Sequence, residues 1–106
     1  MTEIVPELTN GEFEDFSKEG TVLIDFFAEW CMPCMMMSPI IEDLNEEFHG
    51  KINIGKINVD DNQKIAEKFE VNSIPTFIVI KEGKEIERMN GALTQDELES
   101  LIKRHI

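Results

Sequence analysis

The chain is poor in basic side chains, thiols and imidazoles, and it has no long apolar run. Ten lysines and arginines stand against 22 aspartates and glutamates in 106 residues, a formal net charge of −12. That balance repels phosphate backbones, so nucleic acid is not expected as a partner. The acids are scattered rather than gathered into one tail, which reads as a solvated surface. No segment approaches the roughly 18 apolar residues that a membrane span requires, so no membrane association is expected. Met1 to Asn10 has neither the basic start nor the apolar stretch of a secretory leader. A cytoplasmic location is the resulting expectation, in a compartment where disulfides are usually transient and catalytic. There is no repeat, low-complexity tract or linker, and 42% of the residues are hydrophobic. Residues 1–106 are therefore expected to form one domain around one core.

Helical and strand-like segments alternate, which favours an α/β arrangement. Residues 4–8 read as a short strand, at a sheet edge because of Pro6. Thr9 or Asn10 can cap a helix reaching about Glu19, with Phe13 and Phe16 on one face and Gly20 closing it. Residues 21–27 are apolar on both faces except at Asp25, as in a central strand covered by helices on both sides. A long helix is predicted from about Cys31 to Phe48, with an apolar stripe of Ile40, Ile41, Leu44 and Phe48. Pro39 is expected to kink it, and Gly50 follows its end. Residues 51–59 read as a strand, 62–69 as a short helix and 75–80 as a strand that starts with proline. A turn at 81–84 leads into a strand over 85–90. A last helix begins near Thr94, where Thr94 and Glu97 make a capping box. The predicted order is βαβαβαββα.

The only cysteines lie in Trp30-Cys31-Met32-Pro33-Cys34, after an apolar strand and at the start of a helix. Three chemistries use such a pair. A structural disulfide across so short a loop contributes little, about 2 kcal/mol against roughly 3–5 for long loops, and is unusual in the cytoplasm. Structural zinc needs four ligands, and the only histidines, His49 and His105, are 56 residues apart, so no metal is expected. Thiol–disulfide exchange fits best, since Cys-X-X-Cys after a strand in a βαβ pattern is a redox signature. Cys31, nearer the helix N-terminus, is expected to be the more acidic and more exposed thiol, and so the nucleophile. Cys34 then resolves the mixed disulfide. Pro33 sits where a helix has no use for a backbone N–H.

Asp25 interrupts a doubly buried strand, and desolvation there raises a carboxyl pKa. Two roles stay open on these grounds: a proton acceptor for Cys34, working through water, or a structural acid held by hydrogen bonds. Lys56, taken alone, reads as a surface charge. Met36 and Met37 are expected in the core. Met32 and Met35 are expected outside, as flexible contacts for apolar substrates. Trp30 is expected beside the cysteines, shaping their surface.

Residues 26–34, Phe-Phe-Ala-Glu-Trp-Cys-Met-Pro-Cys, resemble the Phe-Trp-Ala-Glu-Trp-Cys-Gly-Pro-Cys segment of the thioredoxin family. Asp25, Lys56 to Asp60, Ser73 to Phe77 and Gly91 to Thr94 match further family stretches in order. The resemblance implies a thioredoxin fold: a central mixed five-stranded sheet flanked by four helices. It implies a protein-disulfide reductase that needs no cofactor beyond the Cys31–Cys34 redox disulfide. Its partners would be a thioredoxin reductase and disulfide-containing proteins, and the chain would be a monomer. Asp25 becomes the proton acceptor and Lys56 its modulating neighbour. Pro75 would be cis and beside the disulfide. Trp30, Met32, Pro33, Pro75, a backbone group of Ile74 or Thr76, and the wall Gly91-Ala92 would bind substrate. Three positions depart from the family: Met32 replaces glycine, Phe27 replaces tryptophan, and Met35 replaces a residue that is often basic. A glutaredoxin-like or isomerase-like protein on the same fold, distinguished by potential and electron donor, and a non-catalytic partner subunit are the alternatives.

Overall fold

The structure, a computed structural model, describes residues 4–106. In chain order the elements are α1 (Asn10–Ser17), β1 (Thr21–Phe27), α2 (Met32–Glu47), β2 (Asn53–Asn58), α3 (Gln63–Lys68), β3 (Thr76–Lys81), β4 (Lys84–Asn90) and α4 (Gln95–Lys103). The strands form one mixed sheet in the order β2-β1-β3-β4, with β1 and β2 parallel and the other pairs antiparallel.

The expected five strands are four among the described residues. Residues 4–8 make a single bridge, Glu7 to Lys56, and no strand. The Leu8 N–H donates to the Lys56 carbonyl at 2.8 Å, and the Lys56 N–H donates to the Pro6 carbonyl at 2.9 Å. Pro6 has no N–H to give back, so the ladder ends there. The strand after α2 also starts later than expected, at Asn53. The N–H groups of Lys51 and Ile52 both donate to the Phe48 carbonyl, which ties them to the helix end.

Alternation along β1 sends its side chains into two cores. Val22, Ile24 and Phe26 meet Ile57, Ile78 and Ile80 from the sheet, Phe13 from α1 and Ile65 from α3. Leu23, on the opposite face, meets Ile54, Phe77 and Val79, together with Met37, Ile41 and Leu44 from α2 and Leu98, Leu101 and Ile102 from α4. Asp25 and Phe27 share the Leu23 face, the one that α2 covers. The helix itself runs unbroken through Pro39.

The ends of the helices follow their chemistry. The Thr94 hydroxyl accepts from the Glu97 N–H at 3.1 Å while Glu97 Oε1 accepts from the Thr94 N–H at 2.9 Å, the expected capping box. At its other end α4 is clamped to β4. Glu87 accepts from Arg104 at 2.7 Å and lies 2.6 Å from His105 Nε2. Those two partners, Arg104 foremost, lower the Glu87 pKa to about 2.

Gly55 lets the N-terminal segment close over β2. A Cβ built there would lie 2.8 Å from Leu8 Cδ1 and 3.1 Å from the Phe16 ring. A Gly55→Val chain is accordingly expected to lose about 1–3 kcal/mol of stability through overpacking, seen as a lower urea midpoint at unchanged slope.

Candidate active site

The turn after β1 places the cysteines. The Cys31 N–H donates to the Ala28 carbonyl at 3.2 Å, which ends the extended run and sets Cys31 as the cap of α2. Met32 and Pro33 then fill the first helical positions, where the N–H groups have no partner inside the helix. Cys31 and Cys34 are joined in a disulfide with their Cα atoms 5.2 Å apart. The Cys34 N–H also donates to Cys31 Sγ at 3.2 Å. A sulfur at this cap therefore faces an N–H donor and the positive end of the helix, both of which favour its anion.

Both cysteines are buried, in a cluster with Phe27 and Ala28 that Met35, Val59 and Ile74 pack against. Cys31 was expected to be the more exposed. It is only slightly so, at 5% against 2% for Cys34. The Ile74 carbonyl oxygen lies 4.0 Å from Cys31 Sγ, and the Ile74–Pro75 peptide is cis. The Thr76 hydroxyl donates to the Ser73 carbonyl at 2.6 Å and lies 3.0 Å from Asn90 Oδ1, which fixes this turn to β4. The Gly91 N–H donates to the Pro75 carbonyl at 2.8 Å, bringing Gly91 and Ala92 beside Pro75. Gly91 has φ +89°, a conformation that suits glycine.

Around the buried sulfurs the surface is apolar and open. Trp30, Met32 and Met36 are each about 70% exposed, Pro33 is exposed, and Ile74 is half-buried. Met36 was expected in the core. The inward stripe of α2 is Met37, Ile41, Leu44, and Met36 lies one step of about 100° off it. Met35, expected outside, is half-buried against the cysteine cluster. The Trp30 indole Nε1–H donates to Asp60 Oδ2 at 2.9 Å, and Asp60 is held in turn by its N–H donating to Asn58 Oδ1 at 3.0 Å. Asp60 and Val59 had no assigned role in the sequence reading. They arrive from 25 or more positions away, and the only sequence signal for them is their place in the Lys56 to Asp60 stretch that matches the family.

Asp25 is 4% exposed, and its Oδ1 has no hydrogen-bond partner among the described residues. Burial raises its pKa from 3.8 to about 7, and the nearby Lys56 charge opposes that rise. Lys56 stands opposite Asp25 in the parallel register, half-buried. A narrow cleft lined by Val5, Asp25, Ser38, Ile41, Glu42 and Lys56 opens onto the carboxyl.

These features define a Cys-X-X-Cys redox site at a helix start on a mixed α/β sheet. Comparison with known proteins gives the family. The thioredoxin family model matches residues 4–104. A thioredoxin of Chlamydia pneumoniae is 46% identical over 102 residues, 96% of this chain and 99% of that one. A thioredoxin of Bacillus subtilis is 40% identical over 96% of this chain and 98% of its own. Among solved structures, oxidized mitochondrial thioredoxin 3 from Saccharomyces cerevisiae superposes with a TM-score of 0.84 at 34% identity, covering 94% of each chain. A Malassezia sympodialis thioredoxin reaches 0.90 at 28% identity, covering 99% of this chain and 92% of that one. The chain belongs to the thioredoxin family, and its chemistry is that of a thiol–disulfide oxidoreductase acting through a redox-active disulfide.

The Asp25 carboxyl carries a testable cost. Above pH 3.8 an unfolded chain gives up this proton, whereas the folded chain holds it to about pH 7. Its contribution to stability is therefore complete below the lower value and is lost as pH rises through the higher one. An Asp25→Asn chain does not titrate there. It is expected to be more stable than the natural chain at alkaline pH, by on the order of 4 kcal/mol, with the two curves converging under acid conditions. Urea unfolding across that pH range measures the difference.

Proposed function

We propose that this chain, as a single domain over 1–106, reduces disulfides of other proteins with Cys31 as attacking thiolate and Cys34 as resolving thiol. The observation that carries the assignment is the Cys34 N–H donated to Cys31 Sγ at the cap of α2, which favours negative charge on Cys31 rather than on Cys34. In the reduced state the Cys31 thiolate attacks one substrate sulfur, an S–S bond forms between them, and the other substrate sulfur leaves as thiolate. Cys34 then gives its proton to Asp25 and attacks Cys31 Sγ. The mixed disulfide breaks, the Cys31–Cys34 bond forms, and the substrate leaves with both electrons of the dithiol.

Asp25 suits the acceptor role because burial raises its pKa to about 7, near the working pH of such a proton transfer. Lys56 modulates it from across the register. Substrate binds against Trp30, Met32 and Pro33 on one side of the disulfide. On the other it meets Ile74, Pro75 and Thr76, with a backbone group of Ile74 or Thr76 pairing with an extended segment and Gly91-Ala92 forming the far wall. No helix among the described residues is long and apolar enough to cross a membrane. We place the protein in the cytoplasm as a monomer, recharged by a thioredoxin reductase.

Two variants test the assignment. Cys34→Ser is expected to abolish insulin reduction and to accumulate a mixed disulfide at Cys31, seen by mass spectrometry; accumulation at residue 34 in the Cys31→Ser chain instead would reverse the roles. Asp25→Asn is expected to slow resolution by Cys34 on the order of 10²-fold while leaving attack by Cys31 nearly unchanged. Equal slowing of both phases in stopped-flow traces counts against the acceptor role.

A further inference from the structure

Lys56 faces two groups that attract a cation, and it is seated on one of them. It stands opposite Asp25 in the β1–β2 register, yet its Nζ lies 5.6 Å from the centroid of the Phe27 ring. An ammonium over an aromatic face is held at that range by the ring's quadrupole. Phe27 is two residues beyond Asp25 on the same strand, so both side chains stand on one face of the sheet. The ring is itself immobilised, 6% exposed and packed with Ala28, Cys31 and Cys34. Asp25 Oδ1, by contrast, is buried and without a hydrogen-bond partner among the described residues. The cleft onto Asp25 holds one other charged side chain, Glu42 from α2; its remaining lining residues Val5, Ser38 and Ile41 carry none, and neither does Phe77, the β3 partner of Asp25.

We propose that Phe27 is a positioning residue for Asp25, its ring holding the Lys56 ammonium back from the carboxyl so that Asp25 lacks a close counter-ion and can take up a proton. The proposal rests on the proton-acceptor reading of Asp25 for its catalytic meaning. Phe27 stands where the family commonly has tryptophan, so a ring face is kept at this position while its strength is changed. An ammonium released from the ring and moved against Asp25 would favour the charged carboxylate and weaken it as the acceptor of the Cys34 proton. The two strands thus place the cation by register, and the aromatic side chain decides which of its two neighbours it serves.

The experiment is a carbon NMR titration of the Asp25 carboxyl in the oxidised protein, in Phe27→Leu and Phe27→Trp chains, each with and without Lys56→Met. Leucine keeps apolar bulk and removes the ring face. Phe27→Leu is expected to lower the Asp25 midpoint by about half a pH unit, roughly a threefold change in its protonation equilibrium. Lys56→Met is expected to abolish that difference. A midpoint unmoved by Phe27→Leu, or lowered equally without Lys56, overturns the proposal. Should Phe27→Leu fail to fold, Phe27→Trp decides. Tryptophan offers the stronger face, so a midpoint above that of the natural chain supports the proposal, and an equal or lowered one overturns it. Stopped-flow kinetics separates this claim from the one beneath it. If the midpoint moves as expected but Asp25→Asn resolves at the natural rate, the hold of Phe27 on Lys56 stands and the proton-acceptor role of Asp25 falls.

Discussion

Strand β1 has helices against both faces, so none of its side chains beyond Thr21 reaches water freely, and one of them is a carboxylate. Burial of Asp25 is the interaction on which the rest of the molecule turns. Its apolar neighbours Val22, Leu23, Ile24 and Phe26 are committed to two cores by strand alternation, and the strand can neither slip nor tilt to expose the acid. The carboxyl therefore meets a low dielectric and an unpartnered oxygen, and it keeps its proton far above the usual range. The same strand leads within a few residues to the cap of α2. The protonation state of a buried acid and the position of a reactive sulfur are set by one piece of backbone.

The thiol chemistry depends on a second economy of backbone groups. A helix start always leaves N–H groups without intrahelical acceptors. Here one of them is donated to Cys31 Sγ, and Met32 and Pro33 occupy the positions between the cysteines. Burial of both cysteines among Phe27, Ala28, Met35, Val59 and Ile74 keeps water from the sulfurs, while Trp30, Met32 and Met36 leave an apolar surface exposed next to them. A protected redox centre and an exposed apolar rim lie within one turn of helix of each other. That division suits a protein that must hold a partner's disulfide briefly and then release it.

Much of this was legible in the residues. The bounds of β1 follow from its apolar run, interrupted only at Asp25, the start of α4 from the Thr94–Glu97 box, and the buried state of Asp25 from its place in that run. Other features needed the whole fold. Residues 4–8 look like a strand, yet one proline confines them to a single bridge with Lys56. Met36 and Met37 are adjacent and chemically alike, and only the rotation of α2 against the sheet puts one outside and the other inside. The hydrogen bond from Trp30 to Asp60 and the seat of Lys56 on Phe27 join positions 30 and 29 residues apart.

By itself the sequence determined the reaction class. Two thiols three apart at a helix start after a buried strand have one chemistry that fits them, because local spacing sets their separation and local backbone sets their charge. It also determined that an acid would be buried nearby, because alternation along a strand is a local property. Only the tertiary structure decided what surrounds that acid. The register of β1 on β2 brings Lys56 across from it, the packing of α2 closes the cleft, and the Phe27 ring holds the cation. Electrostatic partners are chosen by distances through space, and those exist only once the strands have paired.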